Sequence, residues 1–223
     1  MKIKNFQLNS SNLIRPESYY ILGALRDGCL TTQWTIKIKQ KNKEWLSHVL
    51  VPLFKQVFDR KIKNNIYIQE DYTTVWYLAF KDEKIWKYLQ NLENRSPRTS
   101  EEQKFYIMGY WDADGGCPKN PTLQKKIYIK FTQKDKKSLI DLKKMIESFG
   151  IRCGKVRLSE NAQYGKIWRF SITNKEGILK FCKKIGSMHP EKKLRMKTII
   201  NLLSTRHRER AAGSPPKFYN RAI

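Results

Sequence analysis

Apolar and polar positions along this chain switch repeatedly between helical spacing and strict alternation. From Glu17 the run SYYILGALR is apolar at helical spacing and stops at Asp27-Gly28. The stretch TTQWTIKIKQK alternates: Trp34, Ile36 and Ile38 share one side while Thr35, Lys37, Lys39 and Lys41 share the other, which predicts a strand with one buried face. From Glu44 the residues Trp45, Leu46, Val49, Leu50, Leu53, Phe54 and Val57 recur at helical spacing. Pro52 is expected to kink or divide that helix, because it has no N–H and crowds the preceding turn. Two strands are predicted over 62–69 and 73–80, joined by a polar turn at Glu70-Asp71, followed by a helix over 83–92.

The second half repeats this order. A helix is predicted over 101–113, a strand over 126–132, and a helix over 135–149 that stops at Gly150. Strands over 155–158 and 166–173 precede a helix over 175–185, and a further helix over 191–203 has no counterpart in the first half. When the halves are overlaid, Asp27-Gly28 meets Asp114-Gly115, Gln40-Lys41 meets Gln133-Lys134, and Val75-Trp76 meets Ile167-Trp168. A repeat of about 90 residues predicts a pseudo-twofold protein rather than a solenoid. The expected divisions are an N-terminal lead-in at 1–15, a first repeat at 16–95, a linker at 96–100, a second repeat at 101–205 and a basic tail at 206–223.

Charge narrows the class of partner. The 223 residues carry 45 Lys+Arg against 20 Asp+Glu, a net charge of +25. Self-repulsion on that scale is easiest to understand opposite a polyanion, with nucleic acid ahead of an anionic membrane. No apolar run is long enough to span a bilayer, and MKIKNFQLNSSN lacks a signal-peptide core, so a soluble intracellular protein is expected. The four cysteines, Cys29, Cys117, Cys153 and Cys182, have no paired spacing and read as small buried thiols rather than metal ligands.

The stretch FYIMGYWDADGG, Phe105 to Gly116, holds the candidate chemistry. A helix C-terminus carries partial negative charge, so an acid placed there gains from a bound cation. The plain alternative is a helix stop before a glycine turn, and on one copy that is the simpler account. Two copies, Asp27 and Asp114, each followed at repeat spacing by Gln-Lys, favour chemistry instead. The small residues Gly23, Ala24, Gly109 and Ala113 would let the two helices approach closely and bring the acids together as ligands of divalent metal, with the Arg26 and Ala113 carbonyls adding to the set. Outward strand positions, Thr35, Lys37 and Lys39 in one half and Tyr128, Lys130 and Thr132 in the other, are candidates for contacting a DNA groove. Arg169 and Ser171 join them by parity, whereas Trp76 and Trp168 share the parity of core residues.

These residues resemble the motif of the LAGLIDADG homing endonucleases, with YYILGALRDG as a more diverged second copy, and the chain is similar to the single-chain, two-repeat members. The resemblance implies an α+β fold of two αββαββα repeats, each with a four-stranded antiparallel sheet and helices on one face, forming a saddle over double-stranded DNA. It implies cleavage of both strands with Mg²⁺ or another divalent cation such as Mn²⁺, by a monomer, with Asp27 and Asp114 as metal ligands. Lys41 with Gln40, and Lys134 with Gln133, match the basic residue and Gln that members place near each acid. Gly23 stands one place out of register with the motif, and Asp112 aligns with Leu25, so only the final acid is symmetric. The alternative on the same fold is a non-cleaving maturase binding intron RNA, or a nucleic-acid-binding regulator.

Overall fold

The run from Tyr19 to Ala24 is buried on every side, so its helix cannot present a polar face and must be enclosed by other elements. A computed structural model describes residues 14–59, 66–71, 73–159 and 165–211, with the side chains of Asp27, 66, 68–71, 73–74 and 206–211 outside the description. Residues 1–13 of the expected lead-in, the start of the strand predicted over 62–69, and residues 212–223 of the basic tail lie outside the described residues. The chain divides into two compact units, Met1–Ala113 and Asp114–Ile223.

The first unit runs α1 (Glu17–Ala24), a 3-10 turn (Leu25–Asp27), β1 (Gly28–Leu30), β2 (Thr35–Gln40), α2 (Lys43–Trp45), a π turn (Leu46–Leu50), α3 (Val51–Phe58), β3 (Ile66–Asp71), β4 (Thr73–Lys81), α4 (Glu83–Arg95) and α5 (Ser100–Asp114). Its sheet is antiparallel with four strands in the order β1-β2-β4-β3. Ile36 pairs with Phe80 and Ile38 with Leu78, and all four are buried, so this face packs beneath the helices. Trp34 corrects the parity argument: it has a φ of 56° and is 45% exposed, because it turns the β1–β2 hairpin instead of extending β2. Strand β1 itself was hidden in the sequence, its three residues being too few to set up an alternation. Pro52 does not divide its helix. The turn before it widens, with Val51 N–H donating to the Leu46 carbonyl, and this loosening accommodates the proline ring and its missing donor.

Helix α5 starts on a capping box. Glu102 N–H donates to Thr99 Oγ1 at 3.2 Å, while the Glu102 carboxylate accepts from Thr99 N–H at 3.0 Å, Arg98 N–H at 2.7 Å and Arg95 Nη2 at 2.9 Å. The buried acid is thus fully engaged at the positive end of the helix. Further along, α5 crosses α1 at backbone contact. A Cβ on Gly109 would collide with the Tyr20 carbonyl oxygen, and one on Gly23 would collide with the Tyr106 carbonyl oxygen and lie 2.6 Å from Tyr110 N. Gly23 is therefore the contact residue despite its displaced position. From Gly23 to Asp27 one α step and three 3-10 steps advance the chain about 7.5 Å, which equals five α steps from Gly109 to Asp114. The tighter turn makes up the missing residue in axial rise, at a rotation about 40° short.

In the second unit the described elements are a 3-10 turn (Pro121–Leu123), β5 (Ile129–Gln133), α6 (Lys136–Ser148), β6 (Arg157–Ser159), β7 (Ile167–Ile172), α7 (Lys175–Lys184) and α8 (Pro190–Ala211). Among the described residues this sheet has three strands in the order β5-β7-β6, where four are expected. The place of a fourth strand is held by one bridge, in which Gly116 N–H donates to the Lys130 carbonyl at 2.9 Å and Lys130 N–H returns a bond at 2.7 Å. That bridge matches the pair Cys29–Lys37 between β1 and β2. Asp135 caps α6, accepting from Lys137 and Ser138 N–H, and Gly150 ends it at φ 71°. Helix α8 continues past the expected 203 to Ala211. No helix among the described residues is long and apolar enough to cross a membrane.

Gly109→Ala should cost about 3 kcal/mol or more, because the added carbon meets backbone that cannot move aside. A fall in the urea midpoint measures it, and an unchanged midpoint would contradict the close crossing. In the second unit, burial and then the Lys192 charge hold the imidazole of His189 down to about 4 from the ordinary 6.5. The unfolded chain therefore takes the proton first, so this stability is complete above about pH 6.5 and is lost as pH falls toward 4. From pH 7 to pH 5 the loss should be about 2 kcal/mol, and urea denaturation of His189→Gln should give a flatter dependence over that interval.

Candidate active site

Asp114 is the last residue of α5 and is exposed, and Asp27 is the last residue of the 3-10 turn that follows α1. The last turn of α5 contains no basic residue, so its carbonyls and Asp114 together form a negative helix end. This donor set fits a hard divalent cation, which takes carboxylates, carbonyls and waters. Among the described residues no group of three or more His, Cys, Asp or Glu forms a self-sufficient metal cluster. A Mg²⁺ site does not need one, because one or two carboxylates completed by substrate phosphates suffice. Burial pushes the Cys153 and Cys182 thiols up to about 12 and raises that of Cys117. None of these three is a nucleophile at neutral pH. Cys29, expected to be buried, is exposed on the outer face of β1.

Asp112 has a structural role. It is completely buried and accepts a hydrogen bond from Tyr20 Oη at 2.7 Å, and Tyr20 in turn accepts from Trp45 Nε1 at 2.8 Å. Burial and the Asp112 charge hold the Tyr20 phenol protonated, well above its usual range, so it serves as a donor.

The two glutamines act on their own neighbours. Gln40 Oε1 accepts from Lys41 N–H at 2.8 Å, and Gln133 Oε1 accepts from Lys134 N–H at 2.8 Å. Gln40 Nε2 also donates to the Ala113 carbonyl at 3.0 Å, tying the end of β2 to the last turn of α5. That carbonyl, an expected metal ligand, thus already accepts a protein hydrogen bond. Lys41 and Lys134 are both exposed. Trp76 and Trp168 lie opposite Gln40 and Gln133, at the end of each core face, and are only half-buried. Lys43 Nζ sits 4.5 Å from the Trp76 ring and Lys136 Nζ 4.3 Å from that of Trp168, so each ring supports a cation where it emerges.

The outer sheet faces are cationic. In the first unit Thr35, Lys37 and Lys39 share a face with Tyr77 and Tyr67. The two tyrosine rings stack at 5.4 Å, and Lys37 Nζ lies 4.1 Å from the Tyr77 centroid. Neither tyrosine stood out in the sequence, because their pairing depends on the β3–β4 register. A concavity of about 430 Å³ opens here, lined by Arg26, Gly28, Cys29, Lys37, Lys39 and Tyr77. In the second unit Lys130 pairs with Ser171, Thr132 with Arg169, and Arg169 with Arg157. Tyr128 and Ser171 line a second concavity of about 580 Å³. Arg157, which sequence reasoning missed, stands directly across from Arg169 with both exposed, a placement that costs stability unless an anion covers it.

Residues 101–186 match the LAGLIDADG-like domain family. Among solved structures, I-DmoI in complex with DNA and Mn is 22% identical, covering 79% of this chain and 99% of that one with a TM-score of 0.61. The N-terminal LAGLIDADG domain of DUF199/WhiA is 17% identical over 77% of this chain and 82% of that one, at a TM-score of 0.57. Full-length DUF199/WhiA from Thermatoga maritima is 14% identical over 90% and 69%, at 0.61. None of the curated proteins matches the chain. At these identities the structural likeness speaks for the fold, and within it residues 101–186, with their acid-ended helix and antiparallel sheet, are the segment that matches the LAGLIDADG-like domain family.

Proposed function

We propose that this protein is a metal-dependent endonuclease that cuts both strands of a long duplex DNA site. The observation that carries the reading is the duplicated set: an acid ending each of the two acid-ended helices, and downstream a glutamine bonded to the backbone of an exposed lysine. Helix termination alone accounts for either acid, but not for the recurrence of the Gln-Lys pair behind both. The I-DmoI structures, some with DNA and with Mn, Mg or Ca, lend support by fold.

In this reading Asp27 and Asp114 hold divalent metal, with the Arg26 and Ala113 carbonyls as the neighbouring backbone donors. Bound there, the metal would lower the pKa of water and stabilise the leaving oxygen. Lys41 and Lys134 offset charge on the phosphate, and Gln40 and Gln133 fix the backbone from which those lysines project. Thr35, Lys37, Lys39, Tyr128, Lys130, Thr132, Arg169 and Ser171, joined by Arg157 and the Tyr67–Tyr77 pair, contact backbone and base edges. The chain acts as a monomer because it supplies both acids itself.

Incubation with Mg²⁺ and a pool of long randomised duplexes, followed by sequencing of the ends, should yield discrete double-strand cuts. Asp114→Asn should abolish them and leave duplex affinity within a few-fold. Cutting that persists in that variant would remove Asp114 from the metal site. Binding without any cut under Mg²⁺ or Mn²⁺ would favour the non-cleaving regulator or maturase instead, a reading that the fold shared with WhiA keeps open to test. Affinity should fall steeply with salt, and Arg169→Ala should reduce the slope of log affinity against log salt by about 1; an unchanged slope would take Arg169 off the phosphate backbone.

A further inference from the structure

The two halves secure the chain beyond their acids by different means. After Asp27, the residues Gly28–Leu30 are held by a three-residue ladder along β2. After Asp114 the ladder shrinks to the single Gly116–Lys130 bridge, and the chain there is a glycine pair, the most permissive backbone available. Helix α8, which has no counterpart in the first half, supplies what is missing. Its Lys192 donates from Nζ to the Gly115 carbonyl at 2.7 Å. Lysine ordinarily extends its ammonium into water, yet Lys192 is only 9% exposed, and such burial is costly unless the charge is bonded. The bonded carbonyl belongs to the residue directly after Asp114, just past a helix end that has no basic residue in its last turn. The buried ammonium therefore both fixes the Gly115 peptide and offsets negative charge at the end of α5.

We infer that Lys192 is a positioning residue for Asp114, standing in the second half where strand β1 stands in the first; the inference rests on the reading of Asp114 as a metal ligand. Lys192 does not touch the reacting atoms. It sets the backbone from which the Asp114 carboxylate is presented, and so controls how well that carboxylate is oriented before metal and phosphate arrive. Partners that orient a ligand in this way typically matter about 10- to 100-fold in metal affinity or activity.

Two readouts on the full chain test this, each with Lys192→Met, Lys192→Gln and Lys192→Arg. The first is amide hydrogen exchange in metal-free protein. Gly116, whose N–H belongs to the Gly115 peptide and is bonded to the Lys130 carbonyl, should lose protection in the Met and Gln variants, while β2 amides keep the wild-type rate and Arg restores protection. The second is cleavage of the duplex pool at varied Mg²⁺. The Met and Gln variants should need about tenfold more Mg²⁺ for half-maximal rate, with KM for DNA unchanged, and Arg should recover most of the loss. A merely structural lysine would lower the active fraction without moving the Mg²⁺ dependence. Reading two uncharged variants keeps the test decisive if one of them fails to fold. Wild-type exchange at Gly116 in both uncharged variants, or an unmoved Mg²⁺ dependence in those variants when the wild-type chain cuts, overturns the inference alone. A wild-type chain that cuts no duplex overturns the nuclease reading and this inference with it.

Discussion

Backbone contact between α1 and α5 is the constraint on which the rest depends. Gly23 and Gly109 remove the side chains that would hold the helices apart, and each faces the other helix at a distance no Cβ could share. Close approach places Tyr20 beside Asp112 and Trp45, and this buried chain of hydrogen bonds fixes α1, α2 and α5 to one another. It also brings the last turn of α5 within reach of Gln40 at the end of β2. The acid-bearing ends thus rest on rigid elements, which is what a site requiring oriented carboxylates needs.

Electrostatics explains why the outer faces look as they do. In a chain of net charge +25, Arg157 stands opposite Arg169, and Arg26, Lys37 and Lys39 line one concavity. Each arrangement costs repulsion in the isolated protein and is relieved by a polyanion. The apolar side of both sheets is by contrast consumed by packing, with Ile36, Ile38, Leu78 and Phe80 in one unit and Ile129, Phe131, Phe170 and Ile172 in the other. Among the described residues, the sheet faces left open by this packing are the cationic ones.

Periodicity made the long elements legible, because 3.6-residue and two-residue patterns survive without knowledge of partners. The acid-ended helices, the Gln-Lys pairs and the outward lysines followed from it. What escaped has physical reasons. Trp34 alternates like a strand residue, but a hairpin turn claims it, and the turn is set by the short β1 that no pattern announces. The displaced Gly23 looked like a fault until a 3-10 turn supplied the rise of the missing residue. Lys192 is one of 45 basic residues, and only its reach across the fold to Gly115 distinguishes it. Arg157 and the Tyr67–Tyr77 pair likewise acquire meaning from strand register, which composition does not carry.

The central claim is that the acids ending the two helices hold the metal. Anomalous diffraction from crystals of the full chain with Mn²⁺ and a duplex recovered as a target tests it most directly. The account predicts anomalous peaks within coordinating distance of the carboxylates of Asp114 and Asp27. Bound duplex with no Mn²⁺ at either acid, or with Mn²⁺ held by other residues, would contradict it.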